Sequence, residues 1–81
     1  MIKVLGFGRL GESLGPSTEF SLPAHVVTVA DLLAWLATLG PVWQQEMQST
    51  FRVAVNQDFV SLESRVVDGD EVLLLPRVSG G

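Results

Sequence analysis

The residues of this sequence best suited to chemistry are its last two, Gly80 and Gly81. A terminal carboxylate has a pKa of about 3.3–3.7, so at neutral pH it is an anion and a poor electrophile until another enzyme activates it, for example as an acyl-adenylate. Because glycine has no Cβ, such a segment can enter a narrow active-site channel and approach reacting groups closely. The alternative is an ordinary frayed terminus. The carboxylate of Gly81 is therefore the first candidate for a reacting group, activated by a separate enzyme.

A second motif, at residues 6–11, matches the glycine fingerprint G-x-G-x-x-G of dinucleotide-binding folds and follows a predicted strand. That fingerprint must open a full helix, but Gly15 and Pro16 end the segment at once. Residues 8–15 therefore hold at most one helical turn, and Glu19 is too near to serve as the ribose-binding acid. We reject a dinucleotide site and expect the glycines to form a tight turn or to allow the close approach of a partner.

The remaining polar side chains provide no catalytic constellation. The single histidine, His25, is expected in a surface loop, and Asp68, Asp70 and Glu71 belong to a turn sequence. Cysteine is absent, which excludes a thiolate metal site, a disulfide and a nucleophilic thiol. We expect no metal and no cofactor bound by this chain, and no catalytic side chain of its own.

Composition and charge narrow the class of partner. The chain has 81 residues, 47% of them hydrophobic, and its nine acidic and five basic side chains give a net charge of −4. Such few, unclustered cations argue against binding to nucleic acid or to an anionic membrane surface. No signal-peptide pattern opens the sequence, and its longest apolar run, at residues 32–39, is far short of the ~20 residues that span a bilayer. A cytoplasmic protein of one domain is expected.

Hydrophobic periodicity predicts the element order β-β-α-β-β-β, which is an α+β pattern. Thr28 and Asp31 resemble a capping box, and the apolar spacing after them predicts one main helix over residues 29–39, ended by Gly40 and Pro41. The predicted strands are residues 2–7, 19–22, 51–55, 59–62 and 71–75, with a short second helical piece within residues 42–48. This order fits the ubiquitin-like β-grasp as well as other small α+β folds.

The last predicted strand is apolar on both faces. In residues 72–75 (Val-Leu-Leu-Leu), alternate side chains point to opposite sides of the sheet. A single helix can cover only one side, so the other is expected to stay exposed. Phe7 and Phe59 either add to that exposed surface or complete the core. Exposed apolar patches of this kind mark partner-binding surfaces.

With these motifs the chain resembles the ubiquitin-like sulfur-carrier family, which includes the small subunit of molybdopterin synthase and the carrier of the thiamine pathway. The resemblance covers essentially the whole chain. It rests on residues 1–5 (Met-Ile-Lys-Val-Leu), residues 54–57 (Ala-Val-Asn-Gln), and residues 68–72 (Asp-Gly-Asp-Glu-Val) leading to Pro76 and the terminal diglycine. The length and the Val-Asn-Gln segment favour the molybdopterin branch.

The resemblance implies a β-grasp domain over residues 1–76, with a mixed sheet of about five strands, and a flexible diglycine tail over residues 77–81. It also implies that a ubiquitin-activating-like adenylyltransferase uses ATP to adenylate Gly81. Sulfur from a persulfide would convert the adenylate to a thiocarboxylate, which would donate that sulfur to cyclic pyranopterin monophosphate.

By the same resemblance, the tail inserts into the large subunit of molybdopterin synthase, in a heterotetramer of two small and two large subunits. The site residues that the resemblance implies are Phe7, Phe59, Leu75, Pro76, Arg77 and Val78 against partners, and Gly80 beside the reacting Gly81.

Two features depart from the family pattern. Arg77 stands where a second proline is usual, and the glycines of residues 6–11 replace bulkier residues. Both affect the choice of partner more than the carrier role. Three alternatives stay open: a carrier for thiamine or tRNA thiolation, a ubiquitin-like protein modifier joined to lysines through Gly81, and a passive β-grasp binding module.

Overall fold

The computed structural model describes residues 1–7, 11–12, 15, 17–48 and 51–76, with Pro76 described by its backbone alone. Its elements are β1 (Ile2–Gly6), β2 (Ser17–Phe20), α1 (Val29–Leu36), α2 (Pro41–Glu46), β3 (Phe51–Val55), β4 (Asp58–Val60) and β5 (Glu71–Pro76). The five strands form one sheet in the order β2-β1-β5-β3-β4. The predicted α+β class with a mixed five-stranded sheet is confirmed.

Two of the predicted segments fall largely outside the described residues. The predicted tail, residues 77–81, lies wholly outside them. Of the glycine-rich segment over residues 8–15, the described residues 11 and 12 are helical. The boundary between domain and tail stays a prediction.

The last strand, β5, lies in the middle of the sheet. It pairs in parallel with β1, with Val72 opposite Val4, and antiparallel with β3, with Leu74 opposite Val53. The outer pairs, β1 with β2 and β3 with β4, are antiparallel. A parallel pair requires a long crossover connection, and α1 lies in the chain that joins β1 to β5.

The second strand lies two residues earlier than the predicted residues 19–22. Leu5 pairs with Ser17 and Ile2 pairs with Phe20. Because β1 begins at Ile2, the neighbouring strand has no partner beyond Phe20 and its ladder stops there.

The hairpin between β3 and β4 turns at Asn56 and Gln57, which lie between the predicted strands over residues 51–55 and 59–62. Both residues have positive φ, 51° and 74°, which two-residue hairpin turns require and asparagine tolerates. The prediction that the following strand reaches Leu62 is wrong. The strand stops before Ser61, because the Ser64 N–H donates to the Ser61 carbonyl (3.1 Å) and the chain turns away.

Helix α1 begins at the predicted capping box. The Thr28 hydroxyl accepts a hydrogen bond from the Asp31 N–H, and the Asp31 carboxylate accepts one from the Thr28 N–H, both at 3.1 Å. The carboxylate also accepts the Val27 N–H at 3.1 Å. These contacts satisfy donors at the helix start that would otherwise lack partners.

The helix ends earlier than predicted, at Leu36 instead of Leu39. After Leu36, N–H groups bond to the carbonyl three residues back, Thr38 to Trp35 at 2.9 Å and Leu39 to Leu36 at 3.1 Å. This tighter turn takes Leu39 off the apolar stripe, and its side chain is 37% exposed. The short α2 confirms the second helical piece. Among the described residues, no helix is long and apolar enough to cross a bilayer.

The core lies between α1 and one side of the sheet, here called the inner face. Val29, Leu32 and Leu36 of the helix have no exposed surface. They pack with the buried residues of the inner face and of two loops, which are Ile2, Val4, Val53, Val72, Leu74, Val26 and Val66.

Three aromatic rings extend this core at one end. Phe20 of β2 meets Trp35 edge-on, with ring centroids 5.4 Å apart, and Trp43 with centroids 5.7 Å apart. Such edge-to-face pairs are a favoured geometry for buried aromatic rings. Both tryptophans therefore pack against the end of the core.

Replacing Thr28 by alanine removes the hydroxyl that caps α1, and we expect the free energy of unfolding to fall by about 1 kcal/mol. Urea unfolding, with an unchanged m-value, measures the difference. Thr38→Ala is the matched control, because the Thr38 hydroxyl donates to the Trp35 carbonyl (2.6 Å) and caps no N–H group. Equal losses in the two variants would contradict the capping role.

The Asp31 carboxyl makes the stability of the fold depend on pH. Hydrogen bonds from the Val27 and Thr28 N–H groups favour its charged form and hold the pKa of Asp31 below its ordinary value. A carboxyl with a lowered folded-state pKa stabilises the fold above its unfolded-state pKa. That contribution disappears as the pH falls through the folded-state pKa.

We therefore expect Asp31→Asn to be less stable than the native chain at neutral pH, with a deficit that shrinks below about pH 4. Urea midpoints measured from about pH 7 to about pH 2.5 test this expectation. Asp31→Glu, which keeps the charge and suits a capping box, should keep the native pH dependence. A deficit of Asp31→Asn that is the same at every pH would refute the electrostatic explanation.

Candidate functional site

The side of the sheet opposite α1, here called the outer face, carries a row of apolar residues across four strands. The Cα pairing places Leu5 beside Leu73, Leu73 beside Ala54, and Ala54 beside Phe59. Side chains alternate along a strand. Since the neighbours of these residues on β1, β3 and β5 enter the core, the row itself points to the opposite side.

Two further residues, Phe7 and Leu75, extend this row. The prediction that β1 includes Phe7 is wrong by one residue, but the Phe7 N–H donates to the Leu74 carbonyl (3.3 Å) and continues the pairing with β5. Alternation from Leu5 therefore places Phe7 on the outer face, near Leu75. The apolar part of the outer face consists of Leu5, Phe7, Ala54, Phe59, Leu73 and Leu75.

Much of the outer face is open to solvent within the part of the chain that the structure describes, although Ala54 in its middle is only 4% exposed. Phe59 is 59% exposed and Phe7 is 45% exposed, while Leu73 and Leu75 are half-buried. Phe7 and Phe59 therefore do not complete the core. An apolar area of this kind, on a rigid sheet, has the character of a surface that binds another protein.

Charged residues border the outer face at two places. At one end, Lys3 is paired in Cα register with Glu19 on one neighbouring strand and with Glu71 on the other. Near Phe59, the guanidinium carbon of Arg52 lies 4.0 Å from the centroid of the phenyl ring, a cation–π contact. The apolar row therefore lies between Lys3, which has acidic residues on both neighbouring strands, and Arg52, which contacts an aromatic ring.

The chain leaves the sheet at the end of the central strand β5, beside the outer face. Leu75 pairs with Arg52, and Pro76 pairs with Phe51, at the last positions of the ladder. The C-terminal end of β5, where the described chain ends, therefore lies next to the Arg52–Phe59 pair.

Three of the predicted site residues share the outer face: Phe7, Phe59 and Leu75. Of Pro76, also a predicted site residue, only the backbone is described. The other predicted site residues lie outside the described residues, and they are Arg77, Val78, Gly80 and Gly81.

The Asn56 side chain fixes the start of β5 against the β3–β4 hairpin. Its Nδ2 donates to Asp70 Oδ1 (3.0 Å), and its Oδ1 accepts the Glu71 N–H (3.0 Å). The Asn56 N–H donates to the Glu71 carbonyl at 2.8 Å. Asp70 also accepts the Val67 N–H (2.9 Å) within its turn, as a turn aspartate should. These bonds set the register that brings Leu73 and Leu75 opposite β3.

One glycine of residues 6–11, Gly11, has a structural explanation in the chain itself. A Cβ added to Gly11 would lie 2.7 Å from the carbonyl oxygen of Gly6, closer than real side chains approach backbone. Gly11 therefore allows the chain to return against the end of β1. The close contact at Gly11 is with the chain's own backbone, so the expected close approach of a partner stays a prediction.

Sequence reasoning missed Leu5, Ala54 and Arg52 as members of the face or its border. The alternation in residues 51–55 separates Arg52 and Ala54 from their buried neighbour Val53, so the signal was present. What the alternation leaves open is which strands lie side by side.

The other polar residues hold no comparable site. His25, as expected, is exposed, beside a shallow groove that Asp31 and Trp35 also line. Across residues 1–7, 11–12, 15, 17–48 and 51–76, no three His, Asp or Glu side chains are grouped to hold a metal ion.

Alanine substitutions on the inner face and on the outer face should have different effects on stability, because only the inner face belongs to the core. Leu74 is fully buried, so Leu74→Ala should lower the free energy of unfolding by about 2–5 kcal/mol. Phe59→Ala should lower it by less than about 1 kcal/mol, mainly through the lost contact with Arg52. Urea unfolding measures both. A loss at Phe59 as large as that at Leu74 would mean that the outer face belongs to the core.

The sequence matches known proteins along its whole length. The model of the ThiS family matches residues 4–81. The molybdopterin synthase sulfur carrier subunit of Escherichia coli is 35% identical over an alignment that covers 100% of this chain and 100% of the relative.

Solved structures match the fold. SAMP1 from Haloferax volcanii, the small archaeal modifier protein 1, has a TM-score of 0.75 at 25% identity, covering 99% of this chain and 98% of that one. A chain from the complex of subunits 1 and 2 of the molybdopterin-converting factor of Helicobacter pylori has a TM-score of 0.65 at 22% identity, covering 99% and 97%. These likenesses confirm the ubiquitin-like β-grasp. The chain therefore belongs to the ThiS family and to the family of molybdopterin synthase sulfur carrier subunits.

Proposed function

We propose that this protein carries sulfur on its C-terminal carboxylate, at Gly81, for the synthesis of molybdopterin. The observation that carries the proposal is the outer face: an exposed apolar surface lies beside the strand end from which the chain continues toward Gly81. A carrier needs both parts, a surface that a partner recognises and a reacting group whose reach from that surface is limited. The 35% identity to a sulfur carrier subunit over the full length of both chains supports the same role.

The chemistry begins with activation of the carboxylate. As an anion it resists nucleophilic attack, so a ubiquitin-activating-like adenylyltransferase joins it to the AMP portion of ATP and releases pyrophosphate. A sulfur donor of the persulfide class then attacks the carbonyl carbon and AMP leaves. A thiol cleaves the S–S bond of the resulting acyl disulfide and is itself oxidised, which leaves the thiocarboxylate on Gly81. ATP is bound by the activating enzyme, and this chain binds no cofactor.

The acceptor in this proposal is cyclic pyranopterin monophosphate, bound by the large subunit of molybdopterin synthase. The outer face docks on that subunit, and the diglycine segment threads into its active site because Gly80 and Gly81 lack side chains. In each transfer the thiocarboxylate sulfur forms a C–S bond to the pterin in place of an oxygen, and water cleaves the acyl–sulfur bond, which returns Gly81 to a carboxylate. Two such transfers, each from a freshly loaded carrier, supply the two sulfurs of a dithiolene. The fold relative from Helicobacter pylori was solved as a complex of subunits 1 and 2.

We place the proposed assembly in the cytoplasm, as a heterotetramer of two small and two large subunits. Phe7, Phe59 and Leu75 contact the large subunit from the outer face. The segment that enters the active-site channel of the large subunit begins with Pro76, Arg77 and Val78. In that segment Arg77 contributes to the choice of partner.

A second candidate function is a ubiquitin-like modifier, joined through Gly81 to lysine side chains. The likeness to SAMP1 at 25% identity favours it. Both functions begin with adenylation, and they differ in the nucleophile that receives the acyl group. Isopeptide-linked conjugates in extracts of the source organism would indicate the modifier, whereas a stable thiocarboxylate would indicate the carrier.

The intact mass of the protein tests the proposal directly. After co-expression with a matching adenylyltransferase and a sulfur source, we expect a mass gain that corresponds to one oxygen replaced by one sulfur. Deletion of Gly81 should abolish the gain while leaving the urea midpoint unchanged. An unmodified mass, with an activating enzyme shown to act on another carrier, would count against the sulfur-carrier function.

A further inference from the structure

Arg52 is a cation at the border of the outer face, where docking is proposed. It is exposed on β3, and it pairs in Cα register with Leu75, the last residue of β5 whose side chain is described. Its guanidinium carbon lies 4.0 Å from the centroid of the Phe59 ring. Arg52 therefore borders both the apolar row of the outer face and the exit of the chain.

Arg52 forms no salt bridge with an acid among the described residues. The ion pair found in this part of the chain joins the N-terminal amino group to Asp68. A shallow hollow beside Arg52 is lined by residues 51–53 and 59–62, which include no acid. Lys3, the other cation of the outer face, is by contrast opposite Glu19 and Glu71 on its two neighbouring strands.

Contact with Phe59 orders the guanidinium without neutralising it. A cation over an aromatic ring keeps its charge and its N–H donors. Because the ring restricts the side chain before a partner arrives, less rotamer freedom is lost on binding. The guanidinium is thus prepared for a planar, two-pronged acceptor such as a carboxylate.

A protein that docks on the outer face must compensate the positive charge of Arg52. Covering the outer face removes Arg52 from water, and a buried charge without a partner is strongly unfavourable. A partner surface that is apolar throughout would therefore be rejected, while one with a carboxylate in the hollow beside Arg52 would be accepted. This combination of attraction and penalty is how interfaces discriminate between partners.

We infer that Arg52, held over Phe59, determines partner specificity by pairing with a carboxylate on the protein that docks on the outer face. The inference rests on the proposed function for the existence of that partner. It adds the chemistry of the partner surface: an acidic side chain next to an apolar area.

The test compares Arg52→Leu with Lys3→Leu, each of which removes one exposed cation from the same face of the sheet. The probe is the purified molybdopterin synthase large subunit of the source organism, and the readout is its association rate and Kd by surface plasmon resonance. We expect Arg52→Leu to weaken binding about tenfold at low salt, and Lys3→Leu to weaken it by less than about twofold.

Ionic strength and a conservative variant separate a charge effect from a structural one. The deficit of Arg52→Leu in association rate should shrink between roughly 0.05 M and roughly 0.5 M salt, because salt screens the long-range attraction that brings the native chain to its partner. Arg52→Lys should bind with intermediate affinity, since it keeps the charge and loses the planar fork. Urea unfolding of each variant confirms that it is folded.

Three results would overturn the inference. Equal binding by Arg52→Leu and the native chain would remove the role of Arg52, with the proposed function intact. Equal losses in the Arg52 and Lys3 variants would show a general effect of net charge in place of a specific pairing. Failure of the native chain to bind the large subunit would overturn the proposed function, and the inference with it.

Discussion

The structure depends on the packing of one helix, α1, against one side of the five-stranded sheet. Val29, Leu32 and Leu36 are entirely buried there, and the burial of each side chain contributes about 2 kcal/mol. Since α1 covers the inner face, the apolar residues on the opposite side of the central strands stay uncovered in the described structure. The same constraint that builds the core therefore produces the outer face.

The central strand β5 connects this constraint to function. Val72 and Leu74 enter the core, while Leu73 and Leu75 alternate onto the outer face. The strand is paired with β1 as far as Leu74 and with β3 as far as Pro76, so its position is well determined up to the point where the chain leaves the sheet. A surface for docking and the segment that leads to Gly81 thus share one rigid element. A carrier gains from this arrangement, because a docked surface then sets how far the terminal group can reach.

Polar contacts refine the arrangement that apolar packing sets up. The Asn56 side chain bonds to Asp70 and Glu71, and so holds the hairpin to the first residues of β5. Gly11 lets the chain fold back onto the Gly6 carbonyl. Arg52 lies over Phe59 and leaves a positive charge at one border of the apolar row. Each of these contacts depends on how two strands pair or on a precise backbone approach.

Local sequence alone determined the elements of this protein and the kind of chemistry its end allows. The capping box of Thr28 and Asp31 and the turn at Asn56 were predictable because their partners lie within a few residues. Only the tertiary structure decided that β2 stops at Phe20 and that Arg52 meets Phe59. Those outcomes depend on which strands pair and in what register, and that is set by the burial of side chains from the whole chain at once.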